Sequence, residues 1–315
     1  MNSRDLKKLQ LEFKEKIEEF AKSDLNISGV DGVVSQDDFK GDLSKLVSCS
    51  KNYYEDIVKV FCDVSKVLEV SSDLKLDVLG SGILYIVVKK NCSLNLNFIS
   101  SKYSFPYIKI FVKNRVSLNL IEFINSKNLY KNVEVILEKN SSLKSAQFNM
   151  ASSMSINEVS LNESSNYDLK SAYFCSFLKN RIINISKHIG RNSNSNMNVK
   201  GVVISNGEVT NDGLVLIGAE AFKSEGYQKM ENIILDDKSK VFSEPVLEIN
   251  NNDVKCSHGS SISQLSDDLL FYMNSRGIPK SDAINLFAKG FFEEAAKNIL
   301  DKKLRDEILE KVKFE

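Results

Sequence analysis

The sequence predicts a mostly β protein, with a right-handed parallel β-helix as the favoured architecture and helices at both ends. From about residue 56 to 262, short apolar segments alternate with Asn, Ser, Gly and Lys. Within this region a loose repeat centres on Leu94, Leu118, Leu143 and Tyr167, at intervals of 24, 25 and 24 residues. Such spacing is typical of a solenoid, in which equivalent residues of successive coils stack. Helical patterns flank the region on both sides.

The predicted solenoid has definite dimensions. If each coil takes about 24 residues, the region forms about nine coils, and at about 4.8 Å per strand layer the stack is about 40 Å long. An antiparallel sandwich with short hairpins would give a similar density of strands. Periodicity alone therefore leaves both architectures open and slightly favours the β-helix.

Three regions follow from these patterns: an N-terminal helix and linker over 1–55, a β-helix core over 56–263 and a helical domain over 264–315. Leu, Ile and Phe at spacings of three and four predict the first helix over 3–21. Its apolar stripe is expected to pack on the protein's own core, with a partner-binding arm as the alternative.

The C-terminal region predicts three helices. Ser266 is the expected N-cap of the first helix, and Gly277 is the glycine expected to end it. The second helix starts after Pro279, and the third covers about Leu304 to Lys313. Because an uncapped solenoid end exposes sheet edges that pair with other chains, we expect these helices to cap the last coil.

Composition excludes several classes of function. The 42 basic and 42 acidic residues cancel, so neither nucleic acid nor an anionic membrane is an expected partner. The longest strongly apolar run, 82–88, is too short to span a bilayer, and we expect a cytoplasmic protein. The five cysteines form no CxxC pair, which predicts reduced thiols, inert at every position except Cys256.

The chemistry concentrates at Cys256 and His258. These residues lie two apart in a predicted strand, so their side chains share a face. A thiolate and an imidazole are ligands for iron and iron–sulfur species, and a thiolate can also carry sulfur as a persulfide. Two ligands cannot complete a tetrahedral site, which predicts a site shared with another chain. Asp253, Glu248 and Glu244 are secondary candidates. The alternative is a packed thiol and a structural strand-end histidine, and the sequence does not say which face the pair occupies.

A longer pattern surrounds this pair. The run PVLEI, then DVKCSHG, then LLFYMNSRGIP and AINLFAKGFFEEAAKNI, resembles the C-terminal half of the SufB/SufD family of iron–sulfur cluster assembly proteins. The similarity is dense from about Gly213 to Ile299. It implies the β-helix rather than the sandwich. It also implies a non-enzymatic scaffold that handles iron or a transient iron–sulfur cluster at a subunit interface, with Cys256 and His258 as the candidate residues.

The same resemblance implies a docking surface for SufC, an ABC-type ATPase, on the helical domain. The chain itself has no GxxxxGK[ST] motif, so it is expected to bind no nucleotide, and ATP hydrolysis would come from the partner. The candidate docking residues are apolar and lie on the first two predicted helices: Leu270, Phe271, Tyr272, Phe287 and Phe291.

Two departures favour the SufD-like branch, which implies pairing with a SufB-like subunit. Ser239 occupies the position where SufB carries a cysteine, and the segment from Cys256 to Gly259 replaces an acid-His-acid run. Three alternatives stay open: a minimal SufB-type homodimer that binds SufC, a β-helix carbohydrate-active enzyme such as a lyase, and a passive solenoid. His188 lacks an acid or a nucleophile nearby in sequence and is interpreted as a hydrogen-bonded structural residue.

Overall fold

The computed structural model describes residues 47–48, 58–61, 66–79, 82–99, 104, 106–126, 129–150, 153–264 and 267–311. The predicted helix over 3–21, most of the predicted linker and the expected N-cap Ser266 lie outside these residues. The described part is mostly β, and its helices follow the last strand.

The strands of the described residues form two nine-stranded sheets, here called the odd sheet and the even sheet after the numbering of their strands. Each strand pairs with the strand two places away in the sequence, and each of these pairings is parallel. This topology is a parallel β-solenoid, which confirms the predicted fold class and excludes the sandwich. The strands are β1 (Val47–Ser48), β2 (Val58–Phe61), β3 (Lys66–Val70), β4 (Leu74–Leu79), β5 (Gly82–Val88), β6 (Cys92–Ile99), β7 (Pro106–Val112), β8 (Ser117–Ile124), β9 (Leu129–Leu137), β10 (Ser142–Asn149), β11 (Ser153–Leu161), β12 (Asn166–Ser176), β13 (Lys179–His188), β14 (Asn194–Ile204), β15 (Glu208–Ile217), β16 (Ser224–Ile234), β17 (Lys240–Ile249) and β18 (Val254–Gln264).

The repeat in the sequence marks one corner of the solenoid. Successive coils turn there from an odd to an even strand through a residue with positive φ, for example Asn140 (57°) and Ser164 (56°). The Asn140 amide donates to the Glu163 carbonyl of the next coil at 2.9 Å. The following serine closes the turn: Ser141 Oγ donates to the Glu138 carbonyl at 2.6 Å. Asn and Ser recur because short polar side chains suit this left-handed backbone and bond locally.

The register differs in part from the predicted 24-residue period. Leu118, Leu143 and Tyr167 stack in register, as predicted. Leu118, however, pairs with Cys92 rather than with Leu94, so the first of the four predicted positions was wrong by two residues. Coils also lengthen toward the C-terminus, because strands grow from 8 residues in β8 to 11 in β12, β14 and β16.

The two sheets face each other across a filled interior, here called the lumen. Leucine, isoleucine and valine side chains make up most of its contents. It also contains an ion pair between Lys131 and Glu122, both buried. Lys131 Nζ donates further to Asn157 Oδ1 at 2.6 Å, and Gln147 Nε2 donates to Glu122 Oε1 at 3.0 Å. Burial lowers the pKa of Lys131, and the neighbouring carboxylate opposes this shift.

Three helices follow β18: α1 (Asp267–Ser275), α2 (Lys280–Ala296) and α3 (Lys302–Lys311). Gly277 ends α1 with a φ of 81°, and the amide of Ile278 donates to the Met273 carbonyl at 3.0 Å, the bond of a Schellman motif. The predicted glycine stop is therefore confirmed. Asp301 caps α3 by accepting from the Lys303 amide at 2.8 Å.

The helices do not lie where we expected. Rather than sealing the last coil, α2 packs on the outer face of the even sheet, against β10, β12 and β14. Phe292 of α2 contacts Phe148 of β10, with ring centroids 6.1 Å apart. The expectation of a cap was wrong because strands β8, β10 and β12 carry apolar side chains on both faces. An apolar face must be shielded from water. Helix α2 covers the outward-facing side chains of these strands, which are Ile121, Phe123, Ala146, Phe148, Ala172 and Phe174.

A buried asparagine holds the end of α2 to the sheet. Asn298 Nδ2 donates to the backbone carbonyl of Ser145 at 3.0 Å and to that of Asp168 at 3.1 Å. Its own carbonyl accepts from Asn119 Nδ2 at 2.7 Å. These bonds join the helical segment to three strands of the even sheet.

Candidate functional site

The last described coil leaves the edges of both sheets open. Strand β17 ends the odd sheet and β18 ends the even sheet. Their side chains are half-buried or exposed, whereas most side chains of β8 to β13 are buried. The inward-facing side chains of this coil therefore line the mouth of the lumen.

Cys256 and His258 lie at this mouth. Cys256 is in register with Gly226, and His258 with Gln228, of the preceding even strand β16. A Cβ placed on Gly226 would point inward, 2.5 Å from Val215 Cγ1 of the facing sheet and 3.6 Å from Cys256 Sγ. Both Cys256 and His258 thus face the lumen side, which answers the question that the sequence left open.

The two side chains differ in environment. Cys256 is half-buried and packs against the main core cluster. Burial raises the pKa of its thiol, and a hydrogen bond from the backbone of Gly226 partly opposes the shift. His258 is exposed. The geometry gives an accessible imidazole beside a shielded thiol, both directed toward the open end.

Serines complete the mouth. Ser260 continues the inward row of β18, and its Oγ donates to Ser243 Oγ of β17 at 3.0 Å, which links the two sheets. Ser243 Oγ in turn lies 3.3 Å from Met230 Sδ below. The mouth is therefore polar at its rim and apolar beneath.

The three secondary carboxylates do not join the pair. Val241 and Leu247 of β17 pack into the core, so Glu244 and Glu248 lie on the opposite, outward face of the strand. Asp253 lies in the turn before β18, and its backbone carbonyl accepts from the Lys223 amide. Within the described ranges, no group of three or more His, Cys, Asp or Glu side chains could hold a metal ion.

His188 is a buried lumen residue. Its Nδ1 lies 2.8 Å from Ser193 Oγ, and its Nε2 lies 2.8 Å from Ser195 Oγ. Burial lowers its pKa to about 4, so the ring is neutral at physiological pH. This confirms the interpretation of a hydrogen-bonded histidine. Its Nε2 also lies 3.5 Å from the position that a Cβ on Gly226 would take, so His188 and Cys256 approach the same point from two sides.

Ser239 stabilises a turn through hydrogen bonds. Its Oγ donates to Asp236 Oδ2 at 2.6 Å, and its amide donates to Asp236 Oδ1 at 2.9 Å. Asp236 Oδ2 also accepts from the Ser205 amide at 2.6 Å. The position compared with the SufB cysteine therefore holds a corner of the solenoid together.

Two other cysteines match the prediction of inert thiols. Cys92 and Cys175 are buried, and burial raises their pKa values to about 12 and about 11. Cys49 and Cys62 lie outside the described residues.

The five candidate docking residues are spread over two environments. Phe271 is 75% exposed and Tyr272 is 54% exposed, both on α1. Leu270 and Phe287 are half-buried. Phe291 packs against the interface of helix and sheet, with Lys200 Nζ 5.1 Å from its ring centroid. Four large apolar side chains of α1 and α2 are exposed, here together called the helical patch: Leu269, Phe271, Tyr272 and Leu286.

The residues that lie beneath Cys256 and His258 were not predicted from the sequence. Gly226 and Gln228 lie in β16, 30 residues before Cys256 and His258. A constant period of 24 residues points to other positions, because the late coils are longer.

None of the helices in the described part is long and apolar enough to cross a membrane.

Comparison with known proteins gives a consistent result. The family model described as the SufBD core domain of SUF system FeS cluster assembly matches residues 67–291. The iron-sulfur cluster assembly protein SufD of Escherichia coli is 31% identical over 119 residues, which are 38% of this chain and 28% of that protein. A SufBD family protein of Synechocystis is 31% identical over 107 residues, 34% of this chain and 22% of that protein.

A SufBD family protein of Porphyra purpurea is 30% identical over 107 residues, again 22% of its length. The chain thus matches less than a third of each of these relatives. The family model nevertheless covers more than two thirds of the chain, including most of β3, all of β4 to β18 and most of α2. The chain therefore belongs to the SufBD family of the SUF iron–sulfur cluster assembly system.

Proposed function

We propose that this chain is a non-enzymatic, SufD-like scaffold subunit whose open solenoid end pairs with a SufB-like subunit. The observation that carries the proposal is the mouth: Cys256 and His258, whose side chains are of types that can bind iron, face the open end, where the described strands β17 and β18 form the last edges of the two sheets. Two ligands leave a tetrahedral site half complete. A partner seated on the same end would supply the others.

The cargo in this proposal is iron or a transient iron–sulfur cluster. Imidazole and thiolate both bind iron. The shielded thiol keeps its proton more firmly than an exposed one, so the exposed His258 is the better first ligand. Metal binding to Cys256 would then release a proton, as coordination deprotonates a thiol.

The branch assignment has its own support. Ser239 stands where the SufB subunit carries a cysteine, and its side chain is engaged by Asp236. A chain with serine there lacks a sulfur acceptor at that position. Sulfur would then arrive from the partner, and this chain would contribute His258 from its side of the interface.

The helical patch is the proposed docking surface for a SufC-like ATPase. Its four apolar side chains are exposed on α1 and α2, while Asn298 anchors the end of α2 to the even sheet. Large apolar side chains exposed on neighbouring helices suit a protein partner. Replacing Phe271 and Tyr272 by Ser should abolish co-purification with the ATPase. Replacing the exposed Asn274 by Ala on the same helix should not.

Anaerobic co-purification tests the proposal as a whole. The chain is expressed with SufB-like and SufC-like proteins, the mass of the complex is measured, and clusters are reconstituted with wild type, His258→Ala and Ser257→Ala. Ser257 is the exposed neighbour on the same strand and serves as the control. We expect a complex whose cluster yield falls only in the histidine variant. A complex of this chain and the ATPase alone would instead support the homodimeric alternative.

A further inference from the structure

The outward side of the odd sheet carries a buried apolar cluster, here called the odd face. Ile182 of β13 and Val215 of β15 belong to the lumen core, so the residues next to them in each strand point outward. These outward side chains form a cluster of their own. Its buried members are only 0–4% exposed, and they are Ile156, Ile183, Ile185 and Leu214.

The odd face runs obliquely across six strands. Ile156 is in register with Ile183, and one step further along the strands Ile185 is in register with Leu214. Partly buried side chains extend the cluster from β7 to β17, and they are Tyr107, Tyr130, Met154, Leu216 and Val246. Five spacings of about 4.8 Å between neighbouring strands make the odd face about 24 Å long.

The burial of the odd face requires a cover. An apolar side chain on an uncovered part of the same sheet side stays exposed, as Phe242 of β17 does at 57%. Helix α2 packs on the even sheet, and α1 and α3 pack against α2, so the described helices lie on the other side of the solenoid. The odd face is buried in a single copy of the chain. The cover therefore belongs to this chain and lies outside the described elements.

We propose that the predicted helix over 3–21 covers the odd face, with its apolar stripe docked along the cluster. Outside the described residues, 1–46 is the longest segment, and the next longest, 49–57, is too short to cross six strands. As a helix, the stripe from Leu6 to Phe20 is about 21 Å long at 1.5 Å per residue. This length matches that of the odd face.

Charge and chain length agree with this placement. Ion pairs flank the odd face on both sides, one between Arg181 and Asp212 at 3.2 Å and one between Lys187 and Glu158. Lys and Glu are likewise mixed beside the apolar stripe of 3–21, so charges of either sign can be paired. Residues 22–46 reach about 80 Å when extended. Strand β13 lies six spacings, about 29 Å, from β1.

The placement has a consequence for the choice of partner surfaces. Helices of the same chain would cover both outer faces of the solenoid, α2 on the even sheet and the N-terminal helix on the odd sheet. The N-terminal stripe is then occupied within the chain and is not a partner-binding arm. The mouth and the helical patch are the surfaces left for partners. This inference does not depend on the proposed role of His258.

Zero-length cross-linking of the full chain tests the position. A carbodiimide joins a lysine only to a carboxylate in direct contact, and an equimolar mixture of ¹⁴N- and ¹⁵N-labelled chains separates links within a copy from links between copies. We expect links within one copy from lysines of 3–21 to outward carboxylates of the odd sheet, such as Glu208 and Glu244. Glu231, on the outward side of the even sheet, is the control and should not be linked.

Two double variants of the full chain test the apolar stripe. Phe13→Ser combined with Ile17→Ser breaks the stripe, whereas Glu15→Ser combined with Glu18→Ser changes the opposite side of the predicted helix. We expect the stripe variant to lose the links to the odd face. The control variant should keep them.

Hydroxyl-radical footprinting of the same variants reports the cover itself. In the stripe variant, oxidation of Ile183 and Leu214 should rise toward that of the exposed Phe242, and in the control variant it should stay at the wild-type level. Met197 is buried in the lumen and should stay protected as long as the solenoid is folded. If Met197 is oxidised as well, the links in the wild-type chain decide.

Three results would overturn the inference. Links between copies, or protection of Ile183 that disappears on dilution, would make a second copy the occupant of the odd face. Links from 3–21 to Glu231 as frequent as those to the odd sheet, or none to the odd sheet, would mean that the segment does not dock there. Unchanged protection of Ile183 in the stripe variant would mean that another segment covers the face.

Discussion

Cys256 Sγ lies 3.6 Å from the position that a Cβ on Gly226 would occupy, one coil deeper in the solenoid. The thiol therefore rests on bare backbone, and the glycine provides the space for both Cys256 and Val215 of the facing sheet. The depth of the Cys256 thiol at the mouth depends on residue 226 being a glycine.

Gly226→Ala should destabilise the protein and increase the exposure of the Cys256 thiol. The new Cβ would lie 2.5 Å from Val215 Cγ1, and such overpacking costs about 1–3 kcal/mol. Urea unfolding measures the loss, and the rate of Cys256 alkylation reports its exposure. Gly259→Ala is the control, since nothing lies within 4 Å of its Cβ, and it should stay within about 0.5 kcal/mol of wild type. Equal effects of the two variants would contradict the packing described.

Asn298→Ala should loosen the C-terminal helices. The change removes two side-chain hydrogen bonds and leaves buried carbonyls of Ser145 and Asp168 without them, a loss of about 1–3 kcal/mol. Amide hydrogen exchange should rise in α2 and α3 more than in β10 and β12. Asn274→Ala, on the exposed face of α1, should change neither. Uniform exchange across sheet and helix would mean that Asn298 is no anchor.

Lys131→Met should be strongly destabilising. It leaves the Glu122 carboxylate buried without its cation, and breaking a buried pair costs about 3–5 kcal/mol. The double variant Lys131→Met, Glu122→Leu removes both charges and should recover most of this loss. Urea unfolding of the two variants checks the prediction. A double variant no more stable than the single one would show that the surrounding amides, not the charge pair, determine the stability.

Stability should fall on mild acidification because of His188. Its pKa is 6.5 unfolded and about 4 folded, so the unfolded state binds more protons between these values. Stability is complete above pH 6.5 and declines toward pH 4, by about 3 kcal/mol at 1.36 kcal/mol per pKa unit. Carboxylates with lowered pKa values, such as Glu294 at about 2, lose their contribution only below about 4.5, so the two effects separate.

The measurement is the free energy of unfolding between pH 7 and 4.5, with His188→Gln as the variant that lacks the titrating ring. The free energy of unfolding of the His188→Gln variant should change less with pH over this range than that of wild type. The same slope in both proteins would contradict the burial of a neutral ring.

The sequence was informative where each residue acts locally. Asn140 and Ser141 belong to the repeat because the corner needs a left-handed residue and a local hydroxyl, so the solenoid could be predicted. Gly277 was predictable as a helix stop for the same kind of reason. Cys256 and His258 share a face because two residues of a strand always do.

Other features depend on the lengths of individual coils, which a constant 24-residue repeat does not predict. The late coils have 11-residue strands, so Gly226 and Gln228 were not found beneath the site. The position of α2 also escaped prediction. Its signal, apolar residues such as Ile121 and Phe123 flanking an inward-facing Glu122, was present in the sequence as a strand with two apolar faces.

Anaerobic cluster reconstitution on the proposed complex with SufB-like and SufC-like proteins, comparing His258→Ala with Ser257→Ala, tests most directly whether His258 is a ligand. We expect an intact complex in both variants and a cluster yield that falls only when the inward-facing histidine is lost. Wild-type cluster yield in the His258→Ala complex would contradict the claim that the open end of this solenoid contributes a ligand.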